Sequence, residues 1–117
     1  MFTPEYSFTS TGADPFSFTT ALHTYLNLSD VNAVAVKGLE GTDYFDTLDG
    51  WQTRKSNVPI AIDREIDRVY CNVPSPVELK DDRYKRSIKV SASNAPDLVV
   101  WNPWIDKAKR LNKGILC

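Results

Sequence analysis

Polar and apolar positions alternate over short runs along most of the chain, and turn-forming residues end each run. Residues 5–11 read as a strand with Tyr6 and Phe8 on one face, closed by a turn at Gly12-Ala13-Asp14-Pro15. In that turn the glycine permits positive φ, and the proline biases Asp14 away from helix. The longest alternating run covers residues 17–28. Phe18, Leu22, Leu26 and Leu28 share one face with Thr20 and Thr24; Ser17, Thr19, Ala21, His23, Tyr25 and Asn27 share the other.

Further strands are predicted at residues 34–36, closed by Gly38 and Gly41, and at 60–62, 65–71, 77–80, 84–90 and 97–101. Residues 43–57 read as a polar loop with a turn at Asp49-Gly50 and Trp51 as an anchor. One short helix is predicted over residues 104–111. Val, Ile and Thr supply 25 of the 117 residues, as expected of a strand-rich chain. Many short strands separated by frequent turns predict an all-β sandwich of mostly antiparallel sheets, or part of one.

Composition narrows the function. Thirty Leu, Ile, Val and Phe residues are enough to form a core. The net charge of −1 lacks the basic footprint of a general nucleic-acid binder. No apolar run approaches membrane-spanning length, and the first eleven residues lack the features of a signal peptide. Cys71 and Cys117 are too few for a disulfide framework or a cysteine-rich zinc site, so a cytoplasmic location is the default expectation. On that footing the sequon Asn27-Leu28-Ser29 is a chance match.

No glycine-rich phosphate loop and no serine nucleophile elbow is present. His23, the one histidine, sits on the polar face of the longest predicted strand. An imidazole there can exchange protons near neutral pH, or can simply be an exposed strand histidine. Glu65 and Asp67 fall on one face of their strand and Arg68 on the other; a solvated charged face is the ordinary reading. Trp101 and Trp104 lie three positions apart, so a straight strand would point them oppositely. Pro103 is expected to bend the chain between them, leaving their relative direction open. Either ring can stack on a sugar or pack in the core. The cluster Lys80-Asp81-Asp82-Arg83-Tyr84-Lys85-Arg86 reads as a solvated hairpin, and Lys107, Lys109 and Arg110 as cations suited to a helix C-terminus.

Taken together, these segments carry a family resemblance. Phe16-Ser17-Phe18-Thr19-Thr20-Ala21-Leu22-His23-Thr24-Tyr25 resembles the histidine motif of the hexose-6-phosphate mutarotases, the glucose-6-phosphate 1-epimerases. Ser29-Asp30, Val36-Lys37-Gly38-Leu39-Glu40-Gly41 and Asp43-Tyr44-Phe45-Asp46 follow in that family's order. Glu65-Ile66-Asp67-Arg68-Val69-Tyr70 is similar to its aspartate motif, and Pro96-Asp97-Leu98-Val99-Val100-Trp101-Asn102-Pro103-Trp104 to its most distinctive segment. The resemblance implies a galactose-mutarotase-like supersandwich, present here as an incomplete domain over residues 1–117. It implies interconversion of the α and β anomers of hexose 6-phosphates, glucose 6-phosphate above all, with no metal or organic cofactor. In such chemistry a base takes the anomeric proton, an acid protonates the ring oxygen, and the ring opens, rotates and recloses. By resemblance His23 is the general acid and Asp67 the substrate-binding carboxylate.

The chain also departs from the pattern. The family's general base is a glutamate just after a pair like Leu116-Cys117, where this sequence ends. Lys109-Arg110-Leu111-Asn112-Lys113-Gly114 stands where the family has a longer, more acidic stretch. None of Glu5, Glu40, Glu65 and Glu78 matches the base, and the family's phosphate-binding arginines belong to an N-terminal half not represented here. Little or no activity is therefore expected of this chain. The alternatives are a non-catalytic carbohydrate-binding or partner-binding β module, with self-association through open sheet edges, and a truncation product that does not fold.

Overall fold

The computed structural model describes residues 1–111. Among these residues eight short strands form two four-stranded antiparallel sheets. They are β1 (Val34–Lys37), β2 (Asp43–Asp46), β3 (Gln52–Lys55), β4 (Ile60–Ala61), β5 (Ile66–Tyr70), β6 (Val77–Asp81), β7 (Arg86–Val90) and β8 (Leu98–Asn102). One sheet has the order β4-β1-β6-β7, the other β3-β2-β5-β8. Helix α1 (Trp104–Arg110) follows β8, and 3-10 turns cover Val31–Ala33 and Thr47–Asp49. The expected all-β, mostly antiparallel architecture is what the chain adopts.

Alternation along the strands builds the core. In β1, Val34 and Val36 are buried while Ala35 and Lys37 are half-buried. Val77 and Leu79 of β6 lie on the buried side of the same sheet. Against them the second sheet contributes Tyr44 of β2 and Ile66 and Tyr70 of β5. Ile60 of β4 adds to the first sheet's side, and Leu39 and Ile62 fill in from the connections. The chain switches sheets between β1 and β2 through Gly38, at φ +93°, where an added Cβ would lie 3.2 Å from the carbonyl oxygen of Pro76. A side chain there meets both a left-handed backbone and a close neighbour.

The predicted strands at 5–11 and 17–28 do not form. Residues 1–28 carry no regular structure, and almost all of them are exposed, including Phe8, Phe16, Phe18, Leu22 and Tyr25. Alternation supplies a two-faced strand only where a neighbour completes the hydrogen-bond ladder, and no described strand pairs with this segment. The segment joins the body only at its end, where Leu26 and Leu28 pack against the core. Conversely, the polar stretch 43–57 is not a loop. It contains the β2–β3 hairpin, paired from Asp43↔Lys55 to Asp46↔Gln52. The 3-10 turn over Thr47–Asp49 and Gly50, at φ +61°, link the two strands.

A further correction concerns the charged cluster at residues 80–86. It does turn the β6–β7 hairpin, with Lys80 and Asp82 paired at the surface, but Asp81 is fully buried. Its carboxylate accepts from the Ser29 hydroxyl at 2.5 Å, the Ser29 amide at 2.9 Å and the Tyr84 amide at 3.1 Å. Arg86 reaches the same carboxylate at 4.0 Å and donates to the Asn27 carbonyl. Next to this, Asp30 pairs with Arg83 at 2.9 Å. Residues 27–30 are thus fastened to the hairpin by a buried acid and its partners.

At the other end of the chain, Pro103 makes the expected bend. Fully buried Asn102 accepts the Trp104 amide at 2.9 Å, and Trp104, at φ +56°, packs against the core. Lys107 of α1 holds Glu65 at 2.5 Å, tying the helix to the entry of β5.

Two outcomes are expected. Burial raises the Asp81 pKa, but the Ser29 and Tyr84 hydrogen bonds and Arg86 outweigh it and hold the carboxyl below its ordinary value of 3.8. A pKa lowered on folding gives stability that is present above the unfolded-state pKa and lost as pH falls through the folded one. In urea titrations, the stability advantage of the wild type over Asp81→Asn should be level above about pH 5 and shrink progressively below the ordinary carboxylate range. Asn102→Ala strips the acceptor from the Trp104 amide in a buried site and should lower the unfolding free energy by about 1–3 kcal/mol with an unchanged urea m-value.

Candidate functional site

The sheet β3-β2-β5-β8 has one face in the core and one turned away from it. On β5, Ile66 and Tyr70 are buried, and period-two alternation then places Asp67 and Val69 on the outer face. Arg68 goes inward, as its opposition to Asp67 in the sequence predicts. Its guanidinium lies 4.7 Å from the centre of the Tyr44 ring, which packs 5.1 Å from the ring of Tyr70. Burial pushes the Tyr70 phenol up, with the Arg68 hydrogen bond and charge pulling the other way. This inner layer packs against the core and orients β5, with half-buried Arg68 at its margin.

The outer face is different. Asp67 is the register partner of Trp101, and Val69 is the partner of both Val99 and Phe45. Directly opposed side chains share a face, so Asp67 and Trp101 form one row, and Phe45, Val69 and Val99 form the next. Phe45 and Val99 are exposed, and Trp51 extends the apolar row at 6.4 Å from Phe45. Among the described residues the Asp67 carboxylate has no hydrogen bond or ion pair, so both oxygens remain acceptors. Its backbone is held in place: the Asp67 carbonyl accepts the Thr47 hydroxyl at 3.1 Å. A cleft of about 440 Å³ opens beside the start of β5, with Asp46, Asp63, Arg64, Glu65, Asp67 and Arg68 among its lining residues. Three of these charges are already engaged, Asp63 and Arg64 with each other and Glu65 with Lys107.

His23 lies elsewhere in the chain's organisation. It is exposed in the irregular N-terminal segment, four residues before the Asn27 anchor. It makes no hydrogen bond or ion pair among the described residues, so the structure does not join it to Asp67. The expectation attached to Leu116-Cys117, and residues 112–114 of the segment before it, lie outside the described residues. Among the described residues no group of three or more His, Cys, Asp and Glu could hold a metal ion, and no helix is long and apolar enough to cross a membrane.

Sequence reasoning left open which tryptophan faces a ligand. The register answers for the sheet: Trp101 stands beside Asp67, whereas Trp104 joins the core. Thr47 was missed, because a contact spanning twenty residues leaves no local signal.

The aldose 1-epimerase family model matches residues 1–117. A protein of Cenchrus ciliaris named "Putative glucose-6-phosphate 1-epimerase" is 38% identical over 117 residues, a match covering 93% of this chain and 36% of that protein. Proteins of the same name from Haemophilus influenzae and Escherichia coli are each 33% identical, covering 97% and 75% of this chain. The matches cover 41% and 30% of those two proteins. The chain therefore spans roughly a third of the length of these relatives. A match over its whole length makes this chain a member of the aldose 1-epimerase family.

Proposed function

We propose that this chain carries the hexose-binding face of a cytoplasmic glucose-6-phosphate 1-epimerase, with Asp67 as the substrate-binding carboxylate and His23 as the general acid. The observation that carries the reading is the pairing of Asp67 with Trp101 on an open sheet face. A carboxylate with two available oxygens accepts hydrogen bonds from vicinal sugar hydroxyls, and charge-assisted bonds of this kind are the stronger ones. The family match and the names of the relatives supply the substrate class, a hexose 6-phosphate.

Anomer interconversion needs a base at the anomeric hydroxyl and an acid at the ring oxygen. His23 suits the acid, since an imidazole holds and releases a proton near neutral pH. Of the glutamates, Glu40 accepts the Gly38 amide at 2.7 Å and Glu65 is paired with Lys107, so neither is placed as the base. General acid or base catalysis contributes typically about two to four orders of magnitude. This chain alone is accordingly a binder of hexose phosphate with little turnover. No metal or organic cofactor, nucleic acid or membrane enters the scheme.

Titration of the chain with glucose 6-phosphate, combined with anomer-exchange NMR, tests this. Weak saturable binding is expected, reduced about ten-fold or more in Asp67→Asn, with anomer exchange close to the buffer rate. Unchanged affinity in Asp67→Asn refutes the assignment of the carboxylate. Rapid exchange abolished by His23→Ala would instead make this chain a complete catalyst.

A second reading, partner binding, is favoured by the sheet edges. Among the described residues β3, β4, β7 and β8 each pair on one side only, and such edges accept an added strand. Self-association by this route predicts a sedimentation-derived mass that rises with protein concentration.

A further inference from the structure

The run Trp101-Asn102-Pro103-Trp104 holds two indoles three residues apart, yet the fold uses them differently. Trp104 is drawn into the core after the Pro103 bend, with its amide held by Asn102. Trp101 stays half-buried on the outer face as the register partner of Asp67. The Cβ atoms of directly opposed residues in an antiparallel pair lie about 4.5–5.5 Å apart, so one ring-sized ligand meets both side chains. The buried neighbour Asn102 on one side and the β8 ladder on the other fix the indole in this place.

A pyranose presents two chemistries at once: a face of C–H groups and a rim of hydroxyls. The C–H face is matched by a flat aromatic surface and the rim by a carboxylate. An open-chain polyol phosphate keeps the hydroxyls at C2, C3 and C4 and the same phosphate, and gains a free hydroxyl at C5, but it has no rigid face. We propose that Trp101 is the stacking platform for the hexose ring, and so a specificity-determining residue that selects the closed ring over acyclic polyol phosphates. The proposal rests on the reading of Asp67 as the sugar-binding carboxylate and adds the residue that discriminates. Phe45, Val69 and Val99 continue the platform as an apolar border beside the ring.

The test compares glucose 6-phosphate with glucitol 6-phosphate on the intact, nitrogen-15-labelled chain, following the indole N–H signals, with Trp101→Phe identifying the Trp101 resonance. The wild type should bind the cyclic phosphate roughly 3- to 10-fold more tightly, and the Trp101 indole signal should move on binding. Trp101→Leu should bring the ratio to about one while leaving glucitol 6-phosphate affinity in place, and Trp101→Phe should retain most of the ring preference. A ring preference unchanged in both Trp101→Leu and Trp101→Phe overturns the proposal. So does a wild-type Trp101 indole signal that stays fixed at saturation, a readout that holds even where the leucine variant fails to fold. Absence of saturable binding of either phosphate by the wild type overturns the Asp67 reading and the stacking with it. Binding with an intact ring preference in the variants overturns the stacking alone.

Discussion

The burial of Ile66 and Tyr70 fixes everything else on β5. Once those two side chains are committed to the core between the sheets, alternation leaves Asp67 and Val69 only one direction to point. A shift of one residue in the register would bury a carboxylate and expose a tyrosine, so the outward placement of Asp67 is secured by apolar packing on the opposite face. The ladder then decides its neighbours. Pairing of Ile66 with Asn102 and of Tyr70 with Leu98 leaves Trp101 opposite Asp67. The candidate site is therefore a consequence of core packing, and its residues need no mutual attraction to stay together.

A second constraint operates at the far end of the other sheet. β6 continues its buried face by one more alternate position, two residues beyond Leu79, and the residue there is Asp81. Burying a carboxylate is costly unless its oxygens are satisfied, and the partners come from residues 27–30 and from the turn itself. The cost of the buried acid thus becomes a requirement that the incoming segment be fastened here. The anchor sets where residues upstream, His23 among them, leave the body of the protein.

Period-two alternation was legible in the sequence for most of the strands that pair within the chain. β1, β4, β5, β6, β7 and β8 all lie within or overlap their predicted runs, and Asp67 and Arg68 point oppositely as read. The failures have physical causes. Residues 17–28 show the clearest alternation of all, yet a strand is a paired object, and local pattern carries no information about whether a ladder partner exists. The β2–β3 hairpin was hidden for the opposite reason. Asp43, Asp46, Gln52, Arg54 and Lys55 are polar because this ribbon lies at a sheet edge, and only Tyr44 is buried. Asp81 was readable in principle: it continues the Val77, Leu79 series by two, but its charge and charged neighbours argued for solvent. Pro103 signalled the bend after β8, whereas the buried Asn102 side chain that holds the Trp104 amide carried no such signal.

The two proposed residues therefore differ in kind. Asp67 sits on a rigid element, with its backbone pinned by Thr47 and its orientation dictated by buried neighbours, which is what a group that reads hydroxyl positions requires. His23 sits on a segment that first meets the body at Leu26, three residues away, and the long apolar side chains before that point are in solvent. Binding geometry and proton transfer are consequently separable in this chain. The sheet can present a carboxylate and an aromatic face without the segment that bears the imidazole being docked. Proton transfer to a ring oxygen demands a donor within hydrogen-bonding reach, so the acid role requires the 17–28 segment to gain the ladder it lacks here. The same exposed Phe16, Phe18 and Leu22 that leave the segment without a place are the side chains whose burial would stabilise that docking.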